Sequence, residues 1–366
     1  MPARVHGRTI TGVKVSWCTA VVLALVACGD GKSSGVDAGN DTTGDAGTDA
    51  PTQQAACAGS TVLELPAGEP YAAVSDGTTV YVALFTTPAD QLYAIPLAGG
   101  PATLIATASE GHFALSSSGT AVFYAAKLGG ADYAVHQRVG TTDTLLGTIA
   151  STTQVVIAGN ASVVYAASTA GSDVTIESLS RTGQPDQVPV VIATSVGEAR
   201  RIVLGSTIVA WLDGGTVATW RVTPLANPGA VTVITAPNGG PIQIAGDVAI
   251  TLAGMIQTSH TTFYTWSLIY PTTEMLGISH QTGHWFSMHG ADATHLYVAE
   301  MYTPDPGSFE IETRLVSYSL DVTHRFAAQS ELCNYAPKLV GQDATHLFAA
   351  ETATSGVASL VAIPVP

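Results

Sequence analysis

The sequence predicts an all-β protein, a seven-bladed β-propeller with four antiparallel strands in each blade. A unit of four short strand-like runs occupies residues 71–108, and similar units follow it to the end of the chain. The last unit lacks a fourth strand, which an extra copy before the first unit can supply. Four strands every 40 to 45 residues, roughly, are typical of propeller blades arranged around an axis.

The first unit shows the strand signals most clearly. Its β-branched and aromatic runs are separated by turn-forming pairs such as Asp76-Gly77 and Gly99-Gly100. Short apolar runs bounded by Gly, Pro and Asp clusters predict strands joined by tight turns. The four predicted strands are residues 71–75, 79–86, 91–97 and 103–108.

The repeat is clearest where the fourth strand of one unit leads into the first strand of the next. First strands are predicted to start near Tyr71, His112, Gln154, Arg200, Ile242, Trp285 and Ala336. Their spacing runs from 41 to 51 residues, and we expect the longer repeats to differ in their loops. Radial repetition lets residues 57–366 form one domain without enlarging any single core.

The two ends of the repeat region predict how the ring closes. The last unit has three predicted strands, residues 336–341, 345–351 and 356–364, and residues 61–65 form an unpaired copy of a fourth. Pairing this N-terminal strand with the last blade would remove the open sheet edges that promote association.

Residues 1–28 have the features of an export signal. Arg4, Arg8 and Lys14 precede an uncharged stretch at 15–27, which is too short for a membrane-spanning helix but suits a signal-peptide core. The sequence Leu-Val-Ala-Cys at 25–28 resembles a bacterial lipobox, so we predict lipid attachment at Cys28. The alternative is an ordinary secretory signal with a chance cysteine.

Residues 29–56 predict a disordered tether. The segment is rich in Gly, Ser, Thr, Asp and Ala and contains one Val and no aromatic residue, so it cannot bury enough apolar surface to fold. Its aspartates do not have the spacing of an EF-hand loop, which argues against ordered calcium binding.

Charge and cysteine content narrow the function classes. The net charge of −15 argues against nucleic acid binding, which needs a basic surface, and against docking on anionic lipid by charge. Outside the signal segment and the lipobox, Cys57 and Cys333 form an even pair, which in an exported protein favours a disulfide. Ideal outer strands would place them on opposite faces, so two free thiols remain the alternative.

Several phrases carry a family resemblance. DGTTVYVAL at 76–84, DATHLYVAE at 292–300, DATHLFAAE at 343–351 and LYAIPLAGG at 92–100 resemble phrases of bacterial surface lipoprotein propellers. Those proteins are similar to the YWTD and NHL repeat groups, and the tether resembles those of myxobacterial lipoproteins. No unit has the full Tyr-Trp-Thr-Asp. The resemblance implies a fold and a cell-envelope location, and it carries over no catalytic residue.

Candidate binding residues concentrate in the connections between predicted blades. His280, His284 and His289 form the densest histidine group. We interpret them as polar residues on a loop and a strand rim, with a metal site as the alternative. His295 and His346 occur at the same phase of two repeats, which indicates a structural position. We predict a possible ligand-binding rim at one end of the axis, formed by Glu110, His112, Glu198, Arg200, His284, Trp285 and Tyr335.

Two function classes follow. The first strands are mostly small and apolar, which favours a non-catalytic envelope lipoprotein whose propeller binds a protein, a glycan or a small ligand. The alternative is an exported propeller hydrolase or lyase with its site at one end of the axis. We expect a monomer without a cofactor or bound nucleic acid, held by its lipid on the outer membrane or surface of a Gram-negative bacterium.

Overall fold

The computed structural model describes the backbone of residues 57–129, 132–182, 186–214, 219–234, 242–253, 261–267, 273–278, 285–292, 294–302, 312–320, 326–352 and 358–365. The predicted signal, Cys28, the tether at 29–56, His280 and His284 lie outside these residues. Trp285 and His289 are described by their backbone only. No helix in the described part of the chain has the length and apolar character needed to cross a membrane.

The described strands form seven four-stranded antiparallel sheets, of which six are continuous in sequence and one is composite. The first strand of the described residues is β1 (Thr61–Glu64). The first sheet contains β2 (Glu69–Ser75), β3 (Thr79–Phe85), β4 (Gln91–Pro96) and β5 (Thr103–Thr107). The second contains β6 (Glu110–Ser118), β7 (Ala121–Lys127), β8 (Tyr133–Val139) and β9 (Thr142–Ile149). The third contains β10 (Val156–Gly159), β11 (Val163–Ala170), β12 (Asp173–Ser180) and β13 (Val190–Val196).

The other three continuous sheets repeat the same order. The fourth sheet contains β14 (Ala199–Leu204), β15 (Ile208–Asp213), β16 (Thr219–Pro224) and β17 (Thr232–Ile234). The fifth contains β18 (Ile242–Ala245), β19 (Val248–Ala253), β20 (Thr261–Ser267) and β21 (Thr273–Ile278). The sixth contains β22 (Trp285–Ala291), β23 (His295–Tyr302), β24 (Glu312–Leu320) and β25 (Phe326–Cys333). Each observed first strand begins within two residues of its predicted start.

The composite sheet joins the two ends of the described chain. It contains β26 (Lys338–Gln342), β27 (His346–Thr352) and β28 (Ala358–Pro364), with β1 paired on the outer side of β28. In this antiparallel pair Thr61 lies opposite Ala362 and Glu64 lies opposite Ser359. The predicted closing strand at 61–65 is therefore confirmed, one residue shorter than expected.

The core lies between neighbouring sheets. Phe123 of the second sheet packs with Ile157 and Val164 of the third, and Phe348 of the composite sheet packs with Val82 of the first. Because its two faces are covered by neighbours, a second strand reads as a nearly continuous apolar run, as in β7 (AVFYAAK). Every sheet therefore depends on the sheets beside it for burial.

The first strands line the axis of the propeller. β2 lies beside β6 and β26, β10 lies beside β6 and β14, and β18 lies beside β22. The approach is close where the composite sheet meets the first sheet: a Cβ on Gly341 would lie 1.8 Å from the carbonyl oxygen of Ala73. Glycine is therefore required at this joint, because any side chain would push the two strands apart.

A repeated turn joins the first and second strands of several sheets. In the sixth sheet, Oδ1 of Asp292 accepts hydrogen bonds from the backbone N–H groups of Thr294 and His295, at 2.7 and 2.9 Å. In the composite sheet, Oδ1 of Asp343 accepts the equivalent bonds from Thr345 and His346, at 2.8 and 2.9 Å. The two histidines occupy the same turn position, which agrees with the structural role predicted for them.

A disulfide between Cys57 and Cys333 links residues that are 276 positions apart. Residues 57–60 form a turn, in which the N–H of Ser60 donates to the carbonyl oxygen of Cys57 at 3.3 Å and Gly59 has a φ of 67°. This turn precedes β1 and places Cys57 beside Cys333 at the end of β25. The two cysteines can therefore meet, although ideal outer strands would hold them on opposite faces. The alternative of two free thiols is therefore wrong.

Candidate functional site: the axial cavity

A cavity of about 850 Å³ runs between the first strands at the propeller axis. Its wall is formed by β2, β6, β10 and β14, with residues from the ends of β22 and β26. Small and apolar side chains contribute much of this wall, among them Ala72, Leu115 and Ala158. Strands that approach this closely leave little room for long side chains. A charged residue in this wall is therefore a candidate for binding.

Arg201, on β14, is one of the residues that line this cavity. The pairing of β14 with β15 shifts register between Ala199 and Arg201, which marks a β-bulge at Arg200. A regular strand sends consecutive side chains to opposite faces, whereas a bulge redirects one of them. Arg200 and Arg201 are both among the residues that line the cavity.

The guanidinium of Arg201 is held by the neighbouring sheet. Its Nη1 donates a hydrogen bond of 2.7 Å to Oε1 of Gln243 on β18. Burial lowers the pKa of the Arg201 guanidinium, and no described carboxylate counteracts this by attraction. An arginine stays protonated in proteins, so the cavity contains a positive charge whose described partner is a neutral amide.

The carboxylates at the cavity belong to the turns that follow β2 and β26. Asp76 accepts the backbone N–H groups of Thr78 and Thr79 through Oδ1, at 2.9 and 2.8 Å. Asp343 accepts the backbone N–H and the hydroxyl of Ser75 through Oδ2, at 3.0 and 2.6 Å. Because both carboxylates follow the ends of their strands and Arg201 is near the start of β14, the acidic and basic groups lie at different levels of the axis.

The predicted rim residues are not brought together as one cluster in the described part of the chain. The Nη2 of Arg200 lies 3.6 Å from a carboxylate oxygen of Glu198, and Glu110 lies 3.7 Å from the Nζ of Lys127. These two ion pairs belong to the fourth and second sheets. Of the predicted rim, Arg200 reaches the axial cavity.

His112 belongs to a separate group on the first and second sheets. Its Nδ1 lies 2.8 Å from Oδ2 of Asp90, and its ring packs edge-on against Phe85 with centroids 4.9 Å apart. The Tyr71 hydroxyl accepts the N–H of Phe113 at 2.8 Å. Burial raises the pKa of Tyr71, and nearby Asp90 raises it further. The group ties the first strand of one sheet to that of the next.

Tyr335 lies at the closure between the sixth and composite sheets. Its hydroxyl is 3.8 Å from Sγ of Cys57 and donates a hydrogen bond to Glu351. It also packs against the buried group that contains Cys333 and Leu347. This half-buried position gives Tyr335 a packing role beside the disulfide.

The last two residues of the predicted rim are His284 and Trp285. His284 lies outside the described residues, and for Trp285 the position in β22 is known without its side chain. Among the described residues, no group of three or more His, Cys, Asp or Glu side chains is arranged to hold a metal ion.

Sequence reasoning included Arg201 as the last residue of a polar connection at 195–201 without naming it as a binding residue, and it missed Gln243. It assigned the charge in this region to the Glu198 and Arg200 connection and treated the following residues as an apolar strand. The available signal was a second consecutive arginine at the start of a run, RIVL, that is otherwise apolar.

Comparisons with known proteins support the propeller fold. The sequence matches no protein-family profile and no curated protein. Among solved structures, the propeller domain of the Trilobed protease from Pyrococcus furiosus is similar, with a TM-score of 0.51, 9% identity, and coverage of 81% of this chain and 93% of that chain. That domain is described as having an open velcro topology. Here, in contrast, β1 pairs with β28.

Two further solved structures are more distant. Prolyl endopeptidases match with a TM-score of 0.47 and 11% identity, over 79% of this chain and 46% of that chain. TolB from Acinetobacter baumannii matches with a TM-score of 0.38 and 11% identity, over 63% of this chain and 62% of that chain. At these scores neither likeness carries a conclusion about this chain.

Proposed function

We propose that this protein is a non-catalytic binding module of the bacterial cell envelope, which holds a small ligand in the axial cavity. The seven sheets would form the seven blades of one closed ring. Lipid at Cys28 would anchor the protein to the membrane, and residues 29–56 would carry the propeller away from the surface.

The axial cavity is the observation that carries this proposal. Its volume of about 850 Å³ falls within the range of roughly 300 to 1,000 Å³ that is common for small-molecule sites. Such sites combine apolar walls with a few polar groups that fix orientation. The wall residues Ala72, Leu115 and Ala158, together with Arg201, provide this combination.

The function is tested by filling the cavity. A fragment library of neutral, anionic and cationic compounds is screened by ligand-observed NMR against the mature protein and against Ala158→Phe. We expect several fragments to bind the unaltered protein and to lose at least tenfold in affinity in the variant, because its ring occupies the ligand volume. Unchanged binding in Ala158→Phe would place the ligands elsewhere and contradict the proposal.

A matched control adds the same ring outside the cavity. Thr148 is exposed on β9, so Thr148→Phe should leave fragment binding unchanged. Circular dichroism of both variants shows whether the sheets are retained. If Ala158→Phe does not fold, Ala114→Phe places the ring in the same cavity from β6.

The anchor is tested separately. The short uncharged stretch at 15–27 followed by Cys28 supports lipid attachment. Mass spectrometry of the mature protein should find a diacylglyceryl-modified Cys28 at the N-terminus, and Cys28→Ala should release the protein from membranes or block its processing. A mature N-terminus elsewhere between residues 1 and 56 would contradict the anchor.

A further inference from the structure

We propose that the axial cavity binds a small organic anion, whose carboxylate or phosphate group pairs with the guanidinium of Arg201 and whose apolar part lies against the first strands. This inference rests on the proposed function and specifies the ligand class of the same site. It follows from the way the charge of Arg201 is left without a described counter-charge.

Most arginines in the described part of the chain are matched by a carboxylate. Arg314 lies 2.6 Å from Glu300 and 3.1 Å from Glu331, Arg200 lies 3.6 Å from Glu198, and Arg221 pairs with Asp213. Arg201 instead donates to the amide oxygen of Gln243. A partly desolvated charge without a counter-charge is costly, so its position favours a ligand that supplies one.

Arg181 is the informative exception, because it also lacks a carboxylate partner among the described ion pairs. Its Nε and Nη1 donate to Gln137 and to the carbonyl oxygen of Asn160, at 3.1 and 2.8 Å. The guanidinium also lies over the ring of Phe123, 5.0 Å from the centroid. These two hydrogen bonds and the ring contact connect the second and third sheets through Arg181. Arg201, in contrast, borders an open cavity.

The acids of the cavity are not positioned to neutralise Arg201. Asp76 and Asp343 follow the ends of β2 and β26, while Arg201 is the third residue of β14. Three of their four carboxylate oxygens accept hydrogen bonds from their own turns or from Ser75, and the fourth accepts the Tyr81 hydroxyl at 3.3 Å. An incoming anion is therefore the natural partner for the guanidinium.

The geometry of Arg201 suits an oxyanion. Gln243 accepts a hydrogen bond from Nη1, and among the described residues this is the hydrogen bond found for the guanidinium, so its other N–H donors can serve a ligand. Carboxylates and phosphates accept two parallel hydrogen bonds from such a fork. The apolar wall at Leu115 and Ala158 then favours a ligand with a hydrocarbon part over a bare inorganic ion.

The test is an NMR titration of the mature full-length protein with four probes: hexanoate, hexyl phosphate, inorganic phosphate and hexylammonium. We expect the two hexyl anions to bind, inorganic phosphate to bind more weakly than hexyl phosphate, and hexylammonium not to bind. The difference between hexanoate and hexyl phosphate identifies the preferred oxyanion.

Three variants assign the effect to Arg201. Arg201→Gln should weaken the hexyl anions by roughly tenfold to a hundredfold, the usual range for losing hydrogen bonds to a charged group. Arg201→Lys keeps the charge without the fork and should give an intermediate loss. Lys338→Gln removes the same charge from an exposed ion pair with Glu69 and should leave binding unchanged.

Thermal unfolding separates a ligand role from a structural one. Removing a partly desolvated cation should leave the melting temperature of Arg201→Gln unchanged or raise it. A large fall would mark Arg201 as a structural residue like Arg181, and Arg201→Lys would then carry the binding comparison.

Two results would overturn the inference. Equal binding of hexylammonium and hexanoate, insensitive to Arg201→Gln, would show that the cavity binds ligands without preferring anions, and the proposed function would survive. The inference would also fail if neither hexyl anion binds while neutral fragments bind the unaltered protein and lose affinity in Ala158→Phe. The proposed function would survive that result too. If no fragment loses affinity in Ala158→Phe, the proposed function itself fails.

Discussion

The same turn is used differently in the first sheet and in the composite sheet. After β2, Asp76 makes its hydrogen bonds within its own sheet, with Oδ2 accepting the Tyr81 hydroxyl at 3.3 Å. After β26, Phe348 stands where the tyrosine would be, and Oδ2 of Asp343 accepts the N–H and the hydroxyl of Ser75 on the neighbouring sheet. Where phenylalanine replaces the tyrosine, the aspartate of the turn therefore bonds to the neighbouring sheet instead of to a hydroxyl in its own sheet.

The contrast shows where the ring needs reinforcement. The strands of a continuous sheet follow one another in the sequence, whereas β1 and β28 of the composite sheet lie about 300 residues apart and are brought together by their pairing. The additional contacts of the composite sheet lie on both sides of it. The disulfide joins it to the sixth sheet, and Asp343 together with the close contact at Gly341 joins it to the first.

The disulfide should contribute the largest single effect. Replacing Cys57 and Cys333 together with serine should lower the free energy of unfolding by about 2 to 4 kcal/mol, because the cross-link restricts a very long loop in the unfolded chain. Chemical denaturation measures this difference. Reducing agent should destabilise the unaltered protein by a similar amount and have no effect on the double variant. Equal stability of the unaltered protein and the double variant without reducing agent would contradict the prediction.

The two aspartates should respond differently to the same change. Asp343→Asn should cost about 1.5 to 3 kcal/mol, because an amide NH₂ cannot accept the backbone N–H of Ser75, and flipping the amide leaves the turn N–H groups unsatisfied instead. Asp76→Asn should cost about 0.5 kcal/mol or less, because the Tyr81 hydroxyl can accept from the new amide. Thermal unfolding of the two variants checks this difference.

The pair serves as its own control, since each change removes one negative charge from an Asp-x-Thr turn. Equal losses would show that the bond between Asp343 and Ser75 contributes no more than the one between Asp76 and Tyr81. The composite sheet would then be joined to the first sheet mainly by packing around Gly341.

Much of the fold could be predicted because it repeats. The recurring apolar runs located all seven first strands, and the surplus strand at 61–65 predicted the closure with β28. A single strand is a weak signal, but the same pattern recurring at a regular interval is a strong one. The position of the Cys57 turn could not be read in the same way, because it occurs once and depends on Gly59.

The candidate site was harder to predict for a physical reason. Strand alternation places neighbouring side chains on opposite faces, so the sequence alone could not decide which of Arg200 and Arg201 faces the axis. The bulge in β14 changes that alternation, and bulges depend on contacts with the partner strand. Similar register shifts occur in β2, β6, β22 and β26. The residues that face the axis are therefore decided by tertiary pairing, which the repeat pattern does not encode.

The pairing of β1 with β28 also sets an order of events during synthesis. Thr61 leaves the ribosome long before its partner Ala362, which is about 300 residues later in the chain. The six continuous sheets can form as their strands emerge, while β1 has to wait with an unpaired edge. We therefore expect the pairing of β1 with β28 to be the last step of folding, and we expect β1 to be open to proteases and mispairing until it occurs.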